Sequence, residues 1–212
     1  MTAAIILAAG SASRMQEAGQ PPVPKMLLPF RGKPILLHLL EAIADAAQLR
    51  YAVTGCFHEQ LQPLLQQRDV QVVLNEHWEQ GMGSSIARGI QQVMQTHPET
   101  KQVFILPADQ PLTQASLLEQ MLYTQQQTRK GMVACRYDDT VGIPALFSHT
   151  YFPALSKLTG QQGAKLILQQ QPHDLALVDY PEGARDIDTP EDYKRLMADY
   201  PLTDPIPPVP GG

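Results

Sequence analysis

Charge is scarce in this chain. Asp, Glu, Lys and Arg make up 17% of its 212 residues, against about 25% in an average globular domain. The balance is −5, which excludes a nucleic-acid partner needing a broad basic face. Any anionic substrate must therefore be met by a few local cations. Cysteine is almost missing: Cys56 and Cys135 lie far apart and match no metal spacing. Both read as buried or partly buried free thiols of a reducing cytosol. No apolar run is long enough for a membrane span, and no basic segment precedes the first apolar stretch, so a cytoplasmic location without a signal peptide is expected. The standard nucleotide fingerprints are also absent. Gly81-Met82-Gly83-Ser84-Ser85 breaks at Ile86, where a dinucleotide motif needs a third glycine. Gly32-Lys33 is followed by Pro34 instead of Ser or Thr, and Leu27 stands where a P-loop begins with Gly.

What is present begins at the N-terminus. Ala3-Ala4-Ile5-Ile6-Leu7-Ala8 is an unbroken apolar run of strand length, as expected of a parallel strand covered on both faces. Ala9-Gly10-Ser11-Ala12-Ser13-Arg14 follows it. Small residues let a ligand approach the backbone and leave N–H groups for an anion. Arg14 adds a planar cationic fork suited to phosphate oxygens, and Lys25 a second cation. Together they point to a nucleoside triphosphate at the carboxyl end of the first strand.

Strand and helix patterns alternate over the rest. Pro34 is expected to open a helix with Ile35, Leu39, Leu40 and Ile43 on its apolar face. Strands are expected at 51–54, 70–74, 103–106, 132–135, 143–147 and 175–178. Further helices are expected near 61–65 despite Pro63, and at 85–94, 113–126 and 163–168, with Thr113 capping the third of these. Thr189-Pro190-Glu191-Asp192 reads as a capping box opening a last helix. This pattern predicts an α/β, three-layer Rossmann-like fold with a mostly parallel central sheet. One domain spanning 1–200 is expected, with 201–212 as a flexible Pro/Gly-rich tail.

Asp109, in Asp109-Gln110-Pro111, directly follows a predicted buried strand, a good place for a metal or hydroxyl ligand. Asp186-Ile187-Asp188 supplies a second carboxylate. The segment is expected to turn one aspartate toward a site and the other away. Two carboxylates from distant segments, with triphosphate oxygens and water, make a suitable Mg²⁺ site.

Taken in order, these motifs resemble the cofactor and sugar-phosphate nucleotidyltransferases. The residues that carry the resemblance are Leu7 to Met15 with Pro24-Lys25-Met26-Leu27, Asn75 to Ile86, Asp109-Gln110-Pro111, Gly142 to Phe147, Gly163-Ala164-Lys165 and Asp186 to Asp192. The set is similar to the molybdenum cofactor cytidylyltransferases, in the group that also holds the guanylyltransferases of that cofactor. The resemblance implies transfer of CMP from CTP to the terminal phosphate of the pterin cofactor, with release of pyrophosphate. It implies that Leu7, Ala8, Ala9, Gly10 and Ser11, with Gly81, Ser84 and Ser85, line the nucleotide. By the same analogy Arg14 and Lys25 hold the triphosphate and act in catalysis with Asp109, and Asp109 and Asp188 hold Mg²⁺. A client molybdoenzyme is the implied protein partner. Ala9 and Pro24, where the guanylyl branch has Gly and Asp, favour cytosine. Two departures stand out: a longer, proline-rich loop at 16–23, and the block Gly160-Gln161-Gln162-Gly163-Ala164-Lys165, in which Gln161 and Lys165 stand where the family has Asp and Arg. The alternatives are a related enzyme using GTP or another phosphorylated acceptor, and a non-catalytic carrier of the cofactor.

Overall fold

The computed structural model describes residues 1–15, 23–161 and 163–202. Most of the long loop at 16–23, Gln162, and the tail from 203 to 212 lie outside the described residues. In chain order the elements are β1 (Thr2–Ala8), a short hairpin of β2 (Pro29–Phe30) and β3 (Lys33–Pro34), α1 (Ile35–Ala42), β4 (Leu49–Thr54), α2 (His58–Gln66) and β5 (Gln71–Leu74). They continue with α3 (Met82–Thr96), β6 (Gln102–Pro107), α4 (Ala115–Thr128), β7 (Met132–Tyr137), β8 (Thr140–Ser148), α5 (Phe152–Leu155), α6 (Lys165–Gln170), β9 (Leu175–Asp179) and α7 (Pro190–Asp199).

Seven strands form one sheet in the order β5-β4-β1-β6-β8-β7-β9. Only β8 runs against the others. β1 sits near the middle with a strand on either side, so both its faces must be apolar. Ala4, Ile6 and Ala8 pack with Leu36 and Leu39 of α1, Leu61 and Leu65 of α2 and Leu117 and Met121 of α4. Ala3 and Ile5 point the other way, to Ile86, Ile90 and Val93 of α3, Leu155 of α5 and Leu168 of α6. β6 divides its side chains likewise, Phe104 and Leu106 against Val103 and Ile105. This is the period of two expected of a strand, and it produces the helix–sheet–helix layering. A third apolar cluster, containing Met15, Phe30, Ile35, Leu112, Ile187 and Leu196, joins the β2–β3 hairpin to α7 beneath one end of the sheet.

The expected strands and helices are present, and the last capping box forms. Thr189 Oγ1 accepts from the Asp192 N–H at 3.2 Å, and Asp192 Oδ2 accepts from the Thr189 N–H at 2.9 Å. Three local expectations are corrected. Pro34 keeps an extended backbone (φ −53°, ψ 141°), pairs with Pro29 in the hairpin and precedes α1 instead of opening it. Thr113 does not cap α4. Its hydroxyl is buried and pairs with Tyr180 Oη at 3.3 Å, because a hydroxyl removed from water takes the nearest partner. Gln114 flanks that helix without a side-chain cap. Cys135 is buried as expected, but Cys56 is exposed at the turn after β4.

Candidate active site

β1 connects to β4 on one side of it, and the chain later returns to β6 on the other. At such a switch point the loops leaving the strands part and open a crevice. Here the crevice is a cleft of about 580 Å³. Leu7 lines it from the end of β1, and Ala9, Gly10, Ser11 and Arg14 line it from the loop that follows. The chain turns back at Ala12, a left-handed residue (φ 48°) whose carbonyl accepts the Met15 N–H at 2.9 Å. Met15 is buried in the third apolar cluster, which anchors the far end of the turn and holds the preceding Arg14 over the cleft.

Three further charged residues reach the same place, each beside a buried neighbour. Lys25 starts a short 3-10 turn whose next residue, Met26, is buried in the core. Asp109 follows Ala108, which is buried and whose N–H donates to the Leu7 carbonyl at 3.1 Å. That bond carries the β1–β6 pairing past the strand ends. Asp188 follows Ile187, buried in the third cluster.

The four charges form a chain of ion pairs. Lys25 Nζ contacts Asp109 Oδ2 and lies 3.0 Å from Asp188 Oδ1. Arg14 Nη1 donates to Asp188 Oδ2 at 2.6 Å. Burial pushes the Lys25 pKa down, but Asp109 and Asp188 outweigh it and hold the ammonium above its ordinary value. Two carboxylates thus already share one cation. Among the described residues no group of three or more His, Cys, Asp or Glu could hold a metal ion. A divalent ion at this place would draw two ligands from the protein and the rest from substrate and water, the pattern typical of Mg²⁺. The donor set fits such an ion.

Asp186 and Asp188 both line the cleft. The expectation that one of them turns away is corrected. Residues two apart on an extended segment share a face, and Ile187 between them is the side chain that points inward. Asp186 Oδ1 accepts from Gln110 Nε2 at 2.8 Å. Crowding by the protein, then the charges of Asp109 and Asp188, raise the Asp186 pKa to about 6.

The opposite wall is the start of α3. Asn75, at the end of β5 and buried, donates through Nδ2 to Ser84 Oγ at 2.9 Å and Ser85 Oγ at 3.0 Å. Its Oδ1 accepts the His77 N–H at 3.0 Å. These bonds fix the turn that presents Trp78, Gly81 and Ser85 to the cleft. Gly81 is required by its backbone: φ is 108°, and a Cβ would lie 2.6 Å from the Gly160 carbonyl oxygen.

Of the residues named from sequence, Leu7, Ala9, Gly10, Ser11, Arg14, Lys25, Gly81, Ser85, Asp109 and Asp188 converge on the cleft. Ala8 and Ser84 do not line it. Ala8 is inside the core, and Ser84 spends its hydroxyl on the Gly81 carbonyl at 2.8 Å. His38 and His58 are tied to Phe30 O and Thr54 Oγ1 and stay outside the cleft. Sequence reasoning missed Tyr137, and it gave no role in the site to Ile143 or Gln161, although both lie in motifs it named; all three line the cleft. No sequence spacing marks Tyr137, because strand order alone brings it near β1.

Residues 4–175 match the MobA-like NTP transferase domain. The chain belongs to that family of nucleotidyltransferases. The bifunctional protein GlmU of Janthinobacterium sp. (strain Marseille) is 30% identical over 162 residues, 76% of this chain and 33% of that protein. The chain thus spans about a third of the length of that curated relative. The crystal structure of Rv0371c from Mycobacterium tuberculosis H37Rv superposes with a TM-score of 0.76 at 27% identity, covering 93% of this chain and 97% of that one. The same mycobacterial protein has been solved in complex with manganese. A nucleotidyl transferase of Methanothermobacter (Mth528) shares the fold, with a TM-score of 0.79 at 21% identity over 96% of this chain and 99% of that one. No helix among the described residues is long and apolar enough to cross a membrane.

Proposed function

We propose that this protein transfers CMP from CTP to the terminal phosphate of a molybdenum-bound pterin cofactor and releases pyrophosphate. The observation that carries the reading is the Arg14–Asp188–Lys25–Asp109 chain of ion pairs at the β1–β6 switch point. A triphosphate needs cations, and its metal needs carboxylates; both are there, paired with one another. Ala9 and Pro24 support cytosine.

Transfer of this kind needs positioning and charge neutralisation more than a protein nucleophile. The acceptor phosphate is itself an anionic nucleophile. Its oxygen would form a new bond to the α-phosphorus of CTP as the bond to the bridging α–β oxygen breaks, and pyrophosphate would leave with that electron pair. Arg14 and Lys25 would exchange their carboxylate partners for phosphate oxygens, with Lys25 set against the developing charge on the bridge. Asp109 and Asp188 would hold Mg²⁺, which when bound supplies further neutralisation of the triphosphate. Manganese in the mycobacterial relative agrees with a divalent ion in this role. Gly81 and Ser85 would face the nucleoside.

A second reading keeps the donor and changes the acceptor. It is favoured by Gln161, which lines the cleft where the resembled family carries a carboxylate. The deciding experiment incubates the protein with each of the four NTPs, Mg²⁺ and the pterin cofactor and measures pyrophosphate. Release with CTP well above release with GTP is expected. Release with GTP alone moves the protein to the guanylyl branch, and no release with any NTP sinks the acceptor assignment.

A further inference from the structure

The cleft extends beyond the charged centre. The wall at Trp78 and Ser85 lies on the β4–β1 side of the sheet, and the Lys25 cluster sits at β1–β6. Tyr137, ending β7, and Ile143, in β8, lie at the same edge but on the far side of β6. β7 is three strands from β1, about 14 Å at the usual strand spacing. That distance leaves room for a second substrate beyond the triphosphate.

Asp186 stands between the charged centre and this far end, near enough to feel the charges of Asp109 and Asp188 and to act on Tyr137, and its environment is built. Gln110 is 4% exposed. Its Nε2 donates to Asp186 Oδ1 at 2.8 Å and to the Gly183 carbonyl at 3.3 Å, while its Oε1 has no partner among the described residues. Turning the amide over would set Oε1 against a carboxylate and a carbonyl. The side chain therefore tolerates an orphaned acceptor in order to donate toward Asp186. Asp109 and Asp188 each pair with a cation, whereas Asp186 forms no ion pair among the described residues. An unpaired carboxylate repels a phosphate and attracts N–H and O–H donors.

We infer that Asp186, positioned by Gln110, selects the acceptor substrate by accepting hydrogen bonds from donor groups on the part of the acceptor remote from its reacting phosphate. This rests on the nucleotidyl-transfer reading above and deepens it. Donors of this kind are the ring N–H groups of a pterin or the hydroxyls of a sugar. A fully apolar acceptor body is excluded.

The test uses the full chain, the Asp186→Asn and Gln110→Ala variants, Mg²⁺ and a non-hydrolysable CTP analogue. Each protein is saturated with the analogue and titrated calorimetrically with the pterin phosphate and, separately, with glucose 1-phosphate. Asp186→Asn is expected to weaken the acceptor that binds by about 10- to 100-fold, the usual effect of losing a hydrogen bond to a charged group. Gln110→Ala is expected to fall between it and wild type. Affinity for the CTP analogue should stay within about twofold, and the half-saturating Mg²⁺ concentration should rise much less than acceptor affinity falls, because Asp186 feels the charges of Asp109 and Asp188 but pairs with neither; a merely structural role for Gln110 would not produce that split. Dependence on Asp186 for glucose 1-phosphate but no pterin binding leaves the inference standing and removes the pterin as acceptor. Equal pterin binding by wild type and Asp186→Asn keeps the pterin and overturns the inference. Binding of neither compound to wild type, or a matching shift in the Mg²⁺ titration, also overturns it.

Discussion

Replacing Lys25 by Met separates two roles that the ion-pair chain combines. The Lys25 side chain is 14% exposed and that of Asp109 22%, so their field is only partly screened by water. The ammonium lies 3.0 Å from Asp188 Oδ1 and closer still to Asp109, on the two groups expected to hold Mg²⁺. A divalent ion about 4 Å from that ammonium is repelled by about 2 kcal/mol at the dielectric of water, and by more at a lower one. Removing the charge should therefore tighten Mg²⁺ binding to the nucleotide-free protein by about 30-fold. The same substitution would remove the charged hydrogen bond proposed from Lys25 to the triphosphate, worth about 1.5–3 kcal/mol, and should weaken nucleotide binding by at least about tenfold. The two effects have opposite signs. Calorimetric titration with Mg²⁺ alone, then with CTP alone, reads both, and the melting temperature checks the fold. If Lys25→Met weakens both ligands, or changes neither, the ammonium does not occupy the metal position and the site must be redrawn.

Three other outcomes follow from the geometry. Asp109→Ala should abolish pyrophosphate release while the melting temperature shifts by only a few degrees, because the carboxylate lies just past a strand end, pairs with Lys25 and belongs to none of the three apolar clusters; near-normal turnover would remove it from the site. Gly81→Ala should destabilise the protein by at least about 1–3 kcal/mol in thermal unfolding, since φ is 108° and the new Cβ would meet the Gly160 carbonyl; an unchanged melting temperature would mean that the 159–161 loop yields freely. Asp174 accepts from Tyr151 Oη at 2.6 Å and from the Gly131 N–H at 2.8 Å, and these bonds, Tyr151's first, lower its pKa. A folded pKa below the unfolded one stabilises the fold at neutral pH, and that stability fades as pH falls through the folded pKa; Asp174→Asn should lower stability at pH 7 and lessen its loss in acid, so parallel acid-unfolding curves for the two proteins would refute the assignment.

Some of this structure is legible one residue at a time. A strand covered on both faces has to be apolar throughout, so residues 3–8 and 103–106 declare themselves without any partner in view. A capping box closes within four residues, so Thr189 to Asp192 fixes the start of α7 locally. The expectation of a phosphate at Gly10 to Arg14 likewise rests on small residues followed by a fixed cation. What the chain order leaves open depends on contacts between distant segments. Arg14 and Asp188 lie 174 positions apart and Lys25 and Asp188 163 apart, yet each pair is within hydrogen-bonding distance because β1 and β6 are neighbours and the third apolar cluster draws Ile187 inward. Asp186 and Asp188 face the cleft together because Ile187 takes the buried side. Thr113 gives up its cap because Tyr180 reaches it from beyond β9, and Tyr137 and Ile143 enter the cleft only because β8 and β7 follow β6 in the sheet. Periodicity and capping act over a few residues and are written in the chain; the order of strands in the sheet is set by which apolar faces are buried together, and that is settled only when the whole chain packs.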